Sequence, residues 1–135
     1  MTSSSLVAHF RAHPRRAFAF DGVGALVSAL ALGVLLPAFA GRVGADVGAL
    51  RALAAVAVGY ALYDVACYAT QPARWRPALR VTASANAAYP AISVAVLAAD
   101  SVALRPLGHL YFAVEFAIVW SLAALQLAVA SRRSG

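Results

Sequence analysis

The chain has 135 residues, of which 63% are hydrophobic and only 12% charged, with a mean hydropathy of +0.79. A water-exposed domain carries about a quarter charged residues, so this composition excludes an ordinary soluble protein and makes lipid the natural solvent. The net charge of +6 comes from arginine alone, with no lysine. Those arginines cluster at the ends of apolar segments, where they fix topology and meet anionic lipid, and nucleic acid is not implied.

At roughly 20 apolar residues per crossing, four spans nearly exhaust the length and leave no room for a soluble domain. The sequence therefore predicts a single membrane domain over 1–135: an all-α, four-helix transmembrane bundle with a short N-terminal interfacial segment. Arginine usage together with heavy alanine and valine points to a bacterial coding bias. One cysteine, Cys67, makes no intramolecular disulfide.

Residues 2–20 open with Leu6, Val7 and Phe10 on one side of a short helix, followed by Arg11, Arg15 and Arg16. Pro14 limits that helix, which reads as an interfacial segment. His9 and His13 are spaced to share a face, yet lack further ligands nearby, so no metal site is expected.

The first span is expected over 17–40. Asp21, Ala25, Ala29 and Gly33 recur every four residues, with Gly24 and Ser28 beside them. A small-residue face of this kind allows close helix approach in lipid. Asp21 reads as a helix-start carboxylate at the interface, favoured by the positive end of the helix dipole. The segment 37–42 (PAFAGR) also resembles a small-residue processing site, although the packing face favours a retained span.

Gly41–Ala49 is expected to be a connector, and the second span runs over 50–70. It carries Asp64 within GYALYDVACY, with Tyr60, Asp64 and Tyr68 on one face and Cys67 as a packing residue. Gln71–Leu79 reads as a proline-broken loop with Trp75 as an interfacial anchor. The third span, 80–98, bears a polar stripe of Thr82, Asn86, Tyr89 and Ser93, and Pro90 frees the carbonyl of Asn86. The fourth span, 106–130, places Tyr111, Glu115, Leu122 and Gln126 on one face, with Gly108 at its outer end. His109 there reads as an interfacial histidine near Asp100.

Eight arginines fall on the side of the termini and three on the other. The positive-inside rule then puts both termini in the cytoplasm, in the bacterial cytoplasmic (inner) membrane.

Charged groups at depth in lipid are functional candidates by default. Asp64, Asn86 and Glu115 fall within roughly 6 Å of the midplane of their spans at 1.5 Å per residue. The candidate polar core is therefore Asp21, Asp64, Asn86, Tyr89, Glu115, Tyr60 and Tyr111, expected to meet in one bundle centre. The candidate helix-packing residues are Gly24, Ala25, Ser28, Ala29 and Gly33. No phosphate loop, nucleophile triad or cofactor motif is present.

Arg16 with Asp21 and Gly24, Arg51, the stretch RVTASANAAY at 80–89, and Gly108 with Glu115 and Leu125–Gln126 resemble a group of short, uncharacterised four-span bacterial integral membrane proteins. The resemblance implies fold and location but no activity. It gives more weight to Asp21, Asn86 and Glu115 than to Asp64.

Three functions follow from the residues. The first is a non-enzymatic protein that associates with itself or with a membrane protein partner, motivated by the small-residue face. The second is a small proton-coupled transporter using the buried carboxylates. The third is an enzyme acting on a lipid or isoprenoid-like substrate.

Overall fold

The computed structural model describes residues 2–99 and 103–131, and the elements among them are helical. In chain order they are α1 (Ser3–Ala12), α2 (Pro14–Leu30), a π-helical turn (Ala31–Leu35), α3 (Leu36–Ala38), α4 (Ala40–Val43), α5 (Val47–Thr70), α6 (Trp75–Ala98) and α7 (Pro106–Ala130). Four stretches are long and apolar enough to cross a membrane: Pro14–Ala38, Val47–Thr70, Trp75–Ala98 and Pro106–Ala130. The protein is thus a four-helix, multi-pass membrane protein, with α1 and the C-terminal end of α7 on one face. That face is called terminal below, and the opposite one distal. Asp100, Arg132 and Arg133 lie outside the described residues.

The helix starts follow from local chemistry. Thr2 caps α1 through its hydroxyl, and Pro14 ends that helix and opens the next at its first position, where the missing N–H has no intrahelical partner anyway. Asp46 caps α5 by accepting from the Ala49 amide at 3.2 Å. Gln71, in the left-handed region at φ 45°, closes it. The expected loop over 71–79 is in fact shorter. Pro77 falls in the first turn of α6, so it is tolerated and the helix begins at Trp75. The first three spans start three to five residues earlier than the hydropathy suggests, at Pro14, Val47 and Trp75, whereas the fourth matches 106–130.

The connector expected over 41–49 likewise contains the short α4, and Gly44 at φ 73° ends it. Pro37 has no N–H and its ring displaces the carbonyls one turn back. The first span absorbs this as the π turn, in which the Leu36 amide reaches the Ala31 carbonyl.

Packing runs in sequence order: the first span lies against the second, the second against the third, and the third against the fourth. The first and fourth spans do not close the ring along their length. Near the faces they are joined by α1 against α7 at the terminal end and α4 against α7 at the distal end, and between these, side chains reach across, Gln126 to Asp21 at 2.6 Å and Ser28 to Glu115.

The terminal junction is built from Phe10, Phe18, Cys67, Leu79, Val129 and Ala130. Arg11 adds to it by donating to the Val129 carbonyl at 3.2 Å and the Ala128 carbonyl at 2.6 Å. This caps the C-terminus of α7, where the last carbonyls lack helical partners and the dipole is negative. Arg15 does the same for α5 through the Tyr68 carbonyl at 2.9 Å while stacking 4.2 Å over the Tyr68 ring. Arg11 and Arg15 therefore act as helix caps, and α1 is docked on the bundle. Arg11→Ala is expected to cost about 1 kcal/mol and to raise protease sensitivity of the N-terminal arm. Limited proteolysis in detergent checks this.

At the distal junction, the Arg105 amide donates to the Val43 carbonyl at 3.0 Å, and α7 crosses α4 at Gly108. The outward surface carries Phe20, Val23, Leu26, Leu30, Leu62, Val65, Val94, Leu110 and Ile118, the apolar face that lipid requires.

Candidate functional site

The buried polar residues fall into two layers, not the single centre expected. In the layer nearer the terminal face, Asp21 Oδ1 accepts from Asn86 Nδ2 at 2.6 Å and from Gln126 Nε2 at 2.6 Å. Asn86 gives its second N–H to Gln126 Oε1 at 3.1 Å. Three spans are thereby tied in one closed hydrogen-bonded ring, with all three side chains buried.

Asp21 is thus not a helix-start carboxylate. The helix begins at Pro14, seven residues earlier, and Asp21 is only 3% exposed. The second span contributes Asp64, whose Oδ1 accepts from Thr82 at 3.2 Å. Its carboxyl packs against that of Asp21, and Oδ2 has no donor. Gly22 allows this approach, since a Cβ there would sit 3.3 Å from Asp64 Cβ.

The second layer lies nearer the middle of the spans. Glu115 Oε2 accepts from Tyr89 at 3.3 Å and Oε1 from Tyr111 at 3.1 Å, with Ser28 beside the same carboxyl. Tyr60 turns its hydroxyl away to the Ala85 carbonyl at 2.8 Å and sets its ring edge against Tyr89. Trp120 donates to the Ala87 carbonyl at 3.3 Å. Both contacts fall on the turn of α6 preceding Pro90, where the helical ladder is interrupted. Tyr60→Phe is expected to lower stability by roughly 0.6 kcal/mol, an average interhelical bond in lipid, as read by denaturation in mixed micelles.

Because the first and fourth spans stand apart, a cavity of about 740 Å³ opens between them toward the bilayer. Gly24, Ala25, Ser28 and Leu35 form one wall, and Leu110, Val114, Ile118 and Leu122 the other. The floor consists of Ala57, Tyr60, Asn86 and Tyr89, with Glu115 and Asp21 at its depth and Arg42 and Phe39 at the distal mouth.

The small-residue face therefore divides. Gly33 packs on the second span, 3.3 Å from Ala54 Cβ by its implied Cβ, whereas a Cβ at Gly24 would meet nothing within 4 Å. Gly24, Ala25 and Ser28 line the cavity, and Ser28 also reaches the carboxyl of Glu115 on the fourth span. Ala29 is half-buried.

Asp21, Tyr60, Asn86, Tyr89, Tyr111 and Glu115 all reach this cavity, and Asp64 stands behind Asp21 without lining it. Gln126 and Thr82 complete the layer nearer the terminal face, and sequence reasoning left both out of the site. Gln126 lies eleven residues, three helical turns, beyond Glu115 on one face, which was its available signal. Among the described residues, no cluster of histidine, cysteine and carboxylate side chains is arranged to hold a metal ion. Cys67 is buried in the terminal junction, and His9 is half-buried on the terminal face, 3.1 Å from Arg16.

Fold and cavity together define the class: a four-span membrane protein with a polar-floored groove open to the bilayer between its first and last spans. No family model, curated protein or solved structure matches the chain.

Proposed function

We propose that this protein binds an amphiphilic, lipid-like molecule taken laterally from the bilayer into the groove between the first and fourth spans. The observation that carries the reading is the combination of an apolar, side-opening cavity with a few converging polar groups at its floor. Its volume of about 740 Å³ lies in the range of small-molecule sites, and the mix of lining matches theirs. Lipid-exposed backbone cannot line such an opening unless it is helical, which both walls are.

The reading narrows the earlier alternatives. Self-association was motivated by a small-residue face that is used within the chain, by the groove at Gly24, Ala25 and Ser28 and by the second span at Gly33. A lipid or isoprenoid-like ligand is retained, with Glu115 and the tyrosines as recognition groups and no chemical step assigned to them. The bacterial inner membrane, with the arginine-rich terminal face in the cytoplasm, is the setting that composition and charge support.

Gly24→Leu tests the reading, because a side chain there enters open space without meeting the backbone of a neighbour. Native mass spectrometry is expected to show one saturable long-chain alcohol per wild-type chain and loss of that adduct in the folded variant. Equal, non-saturating adducts on both proteins would contradict it.

A further inference from the structure

Resting on the groove reading, the polar inventory of the cavity specifies the ligand's chemistry. The side-chain donors that line it below the mouth are already committed. Tyr60 donates to the Ala85 carbonyl, and Tyr89 and Tyr111 donate to Glu115. Both N–H groups of Asn86 go to Asp21 and Gln126, and Ser28 lies against Glu115. The helical backbone amides are bonded within their helices.

What remains is acceptor capacity. A carboxylate offers about four lone-pair sites, and Tyr89, Tyr111 and Ser28 account for three at Glu115. The hydroxyl oxygens of Tyr60 and Tyr111 can also accept, whereas Ser93 stands against that of Tyr89. Asp21 is less available, since Oδ1 receives two short bonds and the carboxyl is backed by Asp64. Arg42, the one cation among the lining residues, is exposed at the distal mouth.

We infer that the groove selects an amphiphile carrying a positively charged hydrogen-bond donor, an alkylammonium-type headgroup on an apolar body, with the ammonium received by Glu115 and framed by Tyr60, Tyr89 and Tyr111. A carboxylate offers such a group a charge-assisted bond, stronger than one to a neutral acceptor. Tyrosine faces add cation–π attraction in a site shielded from water. A neutral alcohol can fill the same space but supplies only one donor and no charge. An alkyl sulfate brings acceptors to a floor of acceptors and is disfavoured.

The test is displacement of a photoreactive long-chain alcohol from the protein in nanodiscs by dodecylammonium, dodecanol and dodecyl sulfate, compared at equal concentration in the bilayer. Dodecylammonium is expected to displace the label at a concentration about tenfold or more below dodecanol, with dodecyl sulfate weakest. Glu115→Gln, with its fold verified by thermal unfolding, is expected to bring the ammonium-to-alcohol ratio close to one. Equal potency of ammonium and alcohol on the wild-type protein overturns the inference even where the variant fails to fold. A preference for dodecyl sulfate, or an ammonium preference retained in Glu115→Gln, overturns it as well. In all those outcomes the label still reaches the groove and the groove reading stands. If the photoreactive alcohol does not label groove residues at all, the groove reading fails and this inference fails with it.

Discussion

Asp21→Ala is expected to lower the stability of the bundle by about 1–3 kcal/mol. The substitution removes two bonds of 2.6 Å, from Asn86 and from Gln126, that hold three spans in one ring. Interhelical hydrogen bonds in lipid average about 0.6 kcal/mol and reach about 1.7. Two short bonds to a carboxylate belong toward the upper end, and two buried donors are left without their acceptor. Asp21→Asn should behave differently. Its amide oxygen still accepts from both partners, and its new N–H₂ group lies against the carboxyl of Asp64 and can donate to it. Stability close to wild type is expected for that variant. Unfolding in mixed micelles with increasing sodium dodecyl sulfate measures both. Equal losses for alanine and asparagine would show that the ring contributes charge and not hydrogen bonding.

The second large effect is expected at the distal junction. A Cβ at Gly108 would collide with the carbonyl oxygen of Val43, a backbone atom with little freedom, and with a Leu104 methyl at 2.8 Å. Gly108→Ala therefore has to push α4 from α7, at a cost of about 1–3 kcal/mol from overpacking. Gly44→Ala attacks the same contact from the other side. It places a side chain at φ 73° against the Ala103 carbonyl and the Arg105 amide, and the left-handed conformation alone costs roughly 1–2 kcal/mol. Because both changes relieve themselves by parting the same two elements, the double variant should lose less than the sum of the singles. Additive losses would mean that the two glycines act at independent contacts. Either single variant should also weaken ligand retention, since Arg42 and Leu107, which line the groove, are one or two residues from this junction.

The sequence made the bundle legible because four apolar stretches of sufficient length leave a chain in lipid little choice. It misplaced three helix starts, and for the third span the reason is local. Pro77 resembles a breaker, yet a proline in a first turn breaks nothing. The polar residues themselves were visible by their cost at depth: Asp21, Asp64, Asn86 and Glu115 are all buried, the most exposed at 8%.

Their grouping was not visible, because periodicity gives the face of a helix but not its rotation or vertical offset relative to its neighbours. Asn86 and Glu115 are consequently partners of different layers. Asp64, which the resemblance weighted least, is buried at 1% exposure against Asp21. The groove was the hardest feature to foresee. Gly24 and Gly33 look alike in the sequence, and only the separation of the first and fourth spans makes one a cavity wall and the other a helix contact.

The central claim is that lipid-like molecules enter between the first and fourth spans, and mapping a photoreactive long-chain alcohol on the protein in nanodiscs tests it most directly. Peptide analysis after illumination is expected to find labels concentrated at Ser28, Val114 and Ile118, and to find them lost in folded Gly24→Leu. Labels spread evenly over the outward residues Val23, Leu62 and Val94, unchanged by Gly24→Leu, would show that the alcohol only coats the bundle and would contradict the claim.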